Sequence, residues 1–331
     1  MSRVDVVVVG AGITGLTCAY RLQKLGVETL VLERSERVGG VIRSEKINGH
    51  LVEWGPSSLL PTAHTHALLE ELGLADSLTE ANPKSPRYIV VNGQLRAIPL
   101  GPLGVSGILR GMAEPLVRTR SQGDESVAGF FRRRFGAQIH DRLVAPFVTG
   151  IFAGNTDKLS VGAVFPRILE IEQQFGSVIV GMLRRKPQPA GGARVRRSTI
   201  SSFPGGLETL PLRIAENLKV QTQCSGVRIG KDVQARATVL AVPAYGAAEI
   251  LAEMHPELAS LLNAIDYAPV VVAATSLPVS SLTAPLRGFG FLVPQSERLV
   301  ILGTIFSSLL FGDRAPDDRL LLTSFLGGTS K

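Results

Sequence analysis

The stretch that decides the fold runs from Val4 to Glu33 and reads VDVVVVGAGITGLTCAYRLQKLGVETLVLE. Its first residues, Val4–Val9, form a mostly β-branched run, which predicts a strand buried on both faces. A second short strand is predicted at Thr29–Leu32, ending directly before Glu33. Between the strands, a helix is predicted from apolar residues at helical spacing and a terminating glycine: Leu16, Ala19, Leu22 and Gly26.

A glycine motif, Gly10-Ala11-Gly12-Ile13-Thr14-Gly15, joins the first strand to the helix. Gly10 allows a tight turn, Gly12 lets the backbone approach a pyrophosphate, and Gly15 lets the helix pack closely on the sheet. The helix N-terminus offers unpaired N–H groups and the positive end of its dipole to the phosphates. Glu33 follows at the strand tip, where a carboxylate can hold ribose hydroxyls. The order strand, turn, helix, strand and acid predicts a dinucleotide site.

The residues after the second strand, ERSERVGG at 33–40, resemble an extension typical of the flavin amine oxidase superfamily. A later GPSS at 55–58 and RATVLAVP at 236–243 are similar to a loop near the flavin and to a strand that rejoins the FAD domain. The resemblance implies that the cofactor is FAD and places Cys224 in a preceding strand near the adenine. The implied cofactor residues are Gly10, Ala11, Gly12, Ile13, Thr14, Gly15, Glu33, Arg34, Arg37, Gly39, Gly40, Val41, Gly55, Pro56, Ser57, Ser58 and Cys224.

Three further motifs resemble those of porphyrinogen oxidases: PRY at 86–88, TGIFAGN at 149–155 and GFGFLVP at 288–294. The resemblance implies FAD-dependent oxidation of protoporphyrinogen IX or coproporphyrinogen III to the porphyrin in heme biosynthesis, with oxygen or another acceptor. It places Gly150 as the catalytic-site glycine beside the reactive edge of the flavin. It also implies that Arg87 pairs with a substrate propionate, since Arg binds carboxylates bidentately. A porphyrinogen needs an apolar slot, for which we predict Phe289, Leu292 and Phe311.

The predicted fold class is α/β: a Rossmann-like FAD-binding domain interleaved with a mixed-sheet substrate domain and a helical domain. The FAD domain is expected at 1–83 and 199–247, and the substrate domain at 84–104 and 248–331. Residues 105–198 are expected to be helical, with Val127–Phe135 and Leu169–Leu183 the clearest helices and a membrane-associating surface implied by the resemblance. Family members continue beyond Lys331 with another flavin-contacting segment, so we expect weak FAD retention and little turnover from this chain.

Composition limits the other possible functions. The 331 residues are 45% hydrophobic, carry a net charge of +7 and contain two cysteines, which favours a cytoplasmic protein with a sizeable core. Basic clusters at 132–134, 184–186 and 194–197 predict either a solvated face or attraction to an anionic membrane or carboxylate substrate. Aromatic residues make up 5%, and none interleaves with the arginines, so no nucleic-acid binding is predicted. We predict no metal site and no membrane-spanning helix. The sequence does not decide whether the chain forms a homodimer.

The sequence leaves two alternatives open. One is another FAD-dependent oxidoreductase, such as a carotenoid desaturase or an amine oxidase, which would lack the motifs around Gly150 and Phe289. The other is a catalytically silent flavin fold that at most binds nucleotide or membrane. Flavin absorbance of the purified chain distinguishes the silent fold from both enzymes.

Overall fold

Strands β1 (Val4–Val9) and β2 (Thr29–Leu32) have the predicted bounds, and the predicted helix between them is α1 (Ile13–Lys24). The structure is a computed structural model and describes residues 4–184, 199–226 and 234–329. Strand β1 pairs with β2 in parallel register. Val7 and Val8 are fully buried, as expected for a strand covered on both faces. Gly26 follows α1 with a φ of 79°, a left-handed conformation that favours glycine.

The remaining strands of the described residues are β3 (Ser44–Ile47), β4 (His50–Glu53), β5 (Thr79–Glu80), β6 (Arg87–Val91), β7 (Gln94–Ala97), β8 (Ser201–Ser202), β9 (Val220–Gln221), β10 (Ala235–Leu240), β11 (Val270–Pro278), β12 (Gly290–Leu292), β13 (Ile301–Ile305) and β14 (Arg319–Gly327). The remaining α-helices in these ranges are α2 (Ala63–Glu71), α3 (Val105–Met112), α4 (Val127–Phe135), α5 (Ala137–Ile139), α6 (Ala145–Phe152), α7 (Val161–Val164), α8 (Pro166–Phe175), α9 (Val178–Arg184), α10 (Thr209–Ala215), α11 (Ala244–Leu251), α12 (Pro256–Asn263) and α13 (Ser307–Leu310). A π-helical turn, His140–Val144, connects α5 to α6.

The first structural unit comprises Met1–Ala81 and Ser198–Tyr267. Its central sheet has the order β10-β1-β2-β9, with every pairing parallel. Strand β10 confirms the expectation that a strand near 236–243 rejoins the sheet, because it pairs along the whole of β1. The prediction that Cys224 lies in a strand is wrong, since β9 ends at Gln221 and Cys224 follows it in irregular backbone.

The second unit comprises Asn82–Arg197 and Ala268–Lys331. Its six-stranded sheet has the order β11-β14-β13-β12-β6-β7, antiparallel except for the β12–β6 pair. The helices between β7 and β8 belong to this unit and enclose a separate apolar cluster around Phe130, Phe131 and Val148. The predicted division into three domains therefore stays a prediction, while the mixed sheet agrees with the expected fold class.

The prediction of one helix over Leu169–Leu183 is wrong. The chain forms α8 and α9 instead, and the break lies at Gly176, whose φ of 73° is left-handed. Buried Glu114 stabilises the break, because its carboxylate accepts hydrogen bonds from Ser177 Oγ (2.5 Å) and from the Val178 and Ile179 N–H groups (3.0 and 3.2 Å). A remote carboxylate thus caps α9, and the local sequence gives no sign of it.

The basic cluster at 132–134 is not a solvated face. Arg134 is fully buried and pairs with buried Glu114, while Arg133 forms ion pairs with Glu125 (2.7 Å) and Glu172 (2.8 Å). Of the three arginines, Arg132 is the exposed one. Position 134 lies on the apolar stripe of α4 formed by residues 127, 130 and 131, and this spacing could have revealed its burial. Arg185, Lys186 and the cluster at 194–197 lie outside the described residues.

No helix within the described ranges has the length and apolar character needed to cross a bilayer.

Candidate functional site

The glycine motif forms a tight turn whose three glycines have different surroundings. Gly10 has a φ of 105°, and a Cβ there would stand 2.5 Å from the carbonyl oxygen of Ala241. A Cβ on Gly15 would overlap the carbonyl oxygen of Gly10. Gly12, in contrast, has extended backbone, and a Cβ there would meet nothing within 4 Å. Gly10 and Gly15 are therefore needed for packing, whereas Gly12 borders open space.

That open space is a cavity of about 690 Å³ in the first unit. Among the predicted cofactor residues, those that line it are Gly10, Gly12, Ile13, Thr14, Glu33, Arg34, Gly39, Gly40, Val41 and Cys224. The others, Ala11, Gly15, Arg37, Gly55, Pro56, Ser57 and Ser58, are not part of its wall. The glycine motif, the loop at 38–42 and the end of β10 thus contribute to the lining of the cavity.

Glu33 stands at the end of β2 and is fixed by hydrogen bonds. One carboxylate oxygen accepts from the Ala11 N–H at 2.7 Å, and the other accepts from the Ser35 N–H and hydroxyl, each at 2.9 Å. Partial burial alone would raise the pKa of the Glu33 carboxyl, but these hydrogen bonds outweigh it and lower the pKa below its ordinary value of 4.5. Glu33 is therefore an anion at neutral pH, held against the glycine motif.

Replacing Glu33 with Gln is expected to lower stability and to weaken FAD binding. The loss of FAD binding should be smaller than that caused by a side chain at position 12, since the Gln amide oxygen can still accept a hydrogen bond. Because the folded pKa is depressed, the stabilisation by ionised Glu33 is present above about pH 4.5 and is lost as pH falls through the lower folded value. The gap in Tm between parent and Glu33→Gln should be constant from pH 7 to 5 and narrow below. Thermal unfolding across pH measures this, and a gap that widens on acidification contradicts it.

The structure places the Arg37 guanidinium against the loop at 38–42, and its predicted contact with the cofactor stays a prediction. Its guanidinium donates to the carbonyl oxygens of Val38 (3.1 Å), Gly40 (2.6 Å) and Ile42 (3.2 Å). Gly55 likewise abuts the loop, because a Cβ there would overlap the carbonyl oxygen of Val41. In this structure Arg37 and Gly55 shape the loop at 38–42.

The predicted substrate residues lie in the second unit. The Arg87 guanidinium is 4.9 Å from the centroid of the Phe289 ring, in cation–π geometry, and Arg87 is exposed at the start of β6. Gly150 lies in α6, where a Cβ would collide with Leu292 Cδ2. Phe311 is buried beneath the Arg314 guanidinium and offers no open face to a ligand. The structure thus pairs Arg87 with Phe289 and Gly150 with Leu292.

Several cavity residues were missed from the sequence. The end of β10 and the turn after it, residues 240–243, also form part of the cavity wall. Tyr245 and Tyr267 also line the cavity, and the Tyr267 hydroxyl accepts a hydrogen bond from the Ala244 N–H at 2.9 Å. The parallel pairing of β10 with β1 brings its carboxyl end beside Gly10, where ligands of such sheets bind. The strand motif at 236–243 could have predicted that residues 240–243 line the cavity.

Comparisons with known proteins agree with this geometry. The profile of the family described as flavin containing amine oxidoreductase matches residues 13–331. A chloroplastic protoporphyrinogen oxidase from Oryza sativa subsp. japonica is 34% identical, over 98% of this chain and 70% of its own length. Coproporphyrinogen III oxidase from Bacillus subtilis (strain 168) is 29% identical, over 97% and 77%. A crystal structure from Exiguobacterium sp. 255-15, provisionally assigned as a protoporphyrinogen oxidase, superposes with a TM-score of 0.81 at 25% identity, covering 100% of this chain and 78% of that one. The chain belongs to the flavin containing amine oxidoreductase family.

FAD is the cofactor of this family member, and the residues of the first unit fit it. The vacant side-chain position of Gly12 faces the cavity, so its backbone is open to a pyrophosphate. Glu33 presents an anionic carboxylate at the strand end, and Arg34 adds an exposed cation to the wall. These features suit a dinucleotide with phosphates at the helix N-terminus and a ribose at Glu33.

Proposed function

We propose that this chain oxidises a porphyrinogen, either protoporphyrinogen IX or coproporphyrinogen III, to the porphyrin, with FAD bound at Gly10–Gly15 and Glu33. FAD supplies the two-electron acceptor, and oxygen is the proposed final oxidant. The same activity in the Oryza and Bacillus relatives supports the substrate class. Their names differ in the porphyrinogen, so both substrates belong to the proposal.

The observation that carries the proposal for this chain is the stacking of exposed Arg87 on Phe289. A porphyrinogen is a large apolar macrocycle that carries propionates, so its recognition requires an apolar surface beside a cation. Arg87 supplies five N–H donors in a planar fork that matches a carboxylate, and Phe289 holds that fork from one side. In the proposed site, Arg87 binds a propionate and Phe289 and Leu292 contact the macrocycle. The missing side chain of Gly150 gives Leu292 the space to lie against α6.

Peripheral membrane contact, cytoplasmic residence and a homodimer belong to the same proposal. Helix α3 supports the membrane contact, because Val105, Leu109 and Met112 are 75%, 60% and 70% exposed. Apolar side chains so exposed on one short helix suit the interface of a bilayer. Co-sedimentation with liposomes tests the contact, and a chain that stays in the supernatant at every lipid composition contradicts it.

The activity is tested by supplying the purified chain with FAD and following porphyrin fluorescence from each porphyrinogen against an autoxidation blank. Formation of porphyrin above the blank with consumption of oxygen, even at a low rate, is the expected result. Bound FAD without turnover of either porphyrinogen would contradict the proposed substrate class. If porphyrin forms only after another electron acceptor is added, oxygen is not the final oxidant.

Replacing Arg87 with Ala is expected to raise KM for the porphyrinogen while leaving kcat largely intact, because a propionate contact holds substrate and transition state alike. A charge-assisted contact is worth about 1.5–3 kcal/mol, so KM should rise roughly tenfold or more. Arg96→Ala is the matched control, since Arg96 is an exposed arginine on β7 of the same hairpin. Equal kinetics of both variants would rule out the role of Arg87.

A further inference from the structure

We propose that Glu208 is a positioning residue for the cofactor: acting through Arg37, it holds the loop at residues 38–42, called here the cofactor loop, in the shape that forms one wall of the cavity. Arg37 Nη1 donates to Glu208 Oε1 at 3.3 Å. Glu208 lies 171 residues away from Arg37, at the N-cap of α10. This inference rests on the proposed FAD site in the first unit.

The cofactor loop has a conformation that needs an external support. Gly39 and Gly40 both have positive φ values, 102° and 60°. Three carbonyl oxygens of the loop, those of Val38, Gly40 and Ile42, accept hydrogen bonds from the Arg37 guanidinium. The planar guanidinium of Arg37 therefore holds three carbonyl groups. Its orientation depends on the Glu208 carboxylate, to which it also donates.

The cofactor loop touches the glycine motif directly. The Gly39 N–H donates to the carbonyl oxygen of Ala11 at 2.8 Å, and Gly39 forms an isolated β-bridge with Gly12. A Cβ on Gly40 would stand 3.2 Å from the Cα of Gly12. A displacement of the loop therefore changes the wall of the cavity at the position where the pyrophosphate is proposed to bind.

Glu208 is itself held in place from two sides. Its Oε2 accepts from the Ser44 N–H at 3.1 Å, and its own N–H donates to Ser44 Oγ at 3.1 Å. Ser44 Oγ donates in turn to buried Glu53 at 2.5 Å, and Glu53 also accepts from the Leu207 N–H at 2.9 Å. The β3–β4 hairpin and the start of α10 thus form a rigid anchor for the Arg37 guanidinium.

The test is Glu208→Gln, compared with Glu216→Gln. Both carboxylate oxygens of Glu208 accept from N–H groups, so an amide NH₂ must face one of these donors. FAD titration should show a roughly tenfold weaker Kd, the magnitude of one lost charge-assisted hydrogen bond. Hydrogen exchange of the apoprotein should be faster at Gly39 and Ile42, whose N–H groups are bonded within this region. Glu216 pairs with Arg213 on the surface at the end of the same helix, so its variant should match the parent.

A double-mutant cycle with Arg37→Met completes the test. If Glu208 acts through Arg37, the double variant should bind FAD no more weakly than the worse single variant. Additive losses, or unchanged exchange at the loop in Glu208→Gln, would overturn the inference. If Glu208→Gln does not fold, Arg37→Lys takes its place: it keeps the charge but cannot reach three carbonyls, and it should also weaken FAD binding. Retention of FAD by Gly12→Val would refute the proposed site, whereas loss in that variant with normal binding in Glu208→Gln refutes only this inference.

Discussion

Gly12→Val is expected to abolish FAD retention while leaving the apoprotein folded. The backbone of Gly12 is extended, with φ −71° and ψ 173°, which any residue can adopt, and its Cβ position is open. The two added methyl groups would stand in the cavity where the pyrophosphate is proposed to lie. Steric penalties of this kind cost about 1–3 kcal/mol and occasionally more, and a penalty of about 3 kcal/mol lowers affinity roughly a hundredfold. The measurements are the flavin-to-protein ratio after purification and the Tm of the apoprotein.

Two other glycines supply the controls for that experiment. Gly312→Val also adds a side chain in open space, but Gly312 belongs to the second unit and does not line the cavity, so the flavin content of this variant should equal the parent's. Gly15→Val should fail to give folded protein, because its Cβ would overlap the Gly10 carbonyl. Stoichiometric flavin in purified Gly12→Val would show that the cofactor does not lie against the glycine motif.

Arg134→Met is expected to destabilise the second unit strongly. Arg134 is fully buried and donates to the carbonyl oxygens of Val117 (2.8 Å), Thr119 (3.2 Å) and Gly176 (2.6 Å), in addition to its ion pair with Glu114. Removing one partner of a buried ion pair leaves an uncompensated charge and costs about 3–5 kcal/mol. Urea unfolding monitored by circular dichroism should show the midpoint falling accordingly.

Arg132→Met is the matched control, since it removes an arginine from the same helix. Arg132 is 47% exposed and pairs with Asp141 and Asp157 at the surface, where ion pairs contribute about 0–1 kcal/mol. The double variant Arg134→Met/Glu114→Gln should recover part of the loss, because it removes the stranded anion. An Arg134→Met variant as stable as the parent would mean that the buried pair contributes nothing.

The elements that could be predicted from sequence are those whose signal is local. Strand β1, strand β2 and helix α4 have their predicted bounds because a β-branched run or an apolar stripe spans each one. The continuous helix over Leu169–Leu183 failed because glycine inside a helical pattern is often tolerated. In this chain Glu114, 63 residues before Ser177, caps α9 and thereby stabilises the break between α8 and α9.

The residues of the candidate site also divide into those with a local sequence signal and those without one. The motif at 10–15 and Glu33 could be predicted because each glycine and the acid serve the backbone beside them. The motif predicts that Arg37 contacts the cofactor, but it does not predict the contacts of Arg37 with carbonyl groups of the cofactor loop and with Glu208. Such partners are joined by tertiary pairing, and no spacing in the local sequence encodes them.

The pairing of β1 with both β2 and β10 also sets the order in which the first unit can be completed during synthesis. Strand β2 follows β1 almost at once, but the register Val4↔Ala235 joins residues roughly 230 positions apart. At a synthesis rate of about 5–20 residues per second, one edge of β1 waits for roughly 10–50 s before its partner is made. Over that interval an apolar strand with unpaired N–H and C=O groups is open to wrong pairing, so the nascent chain should depend on chaperones until β10 emerges.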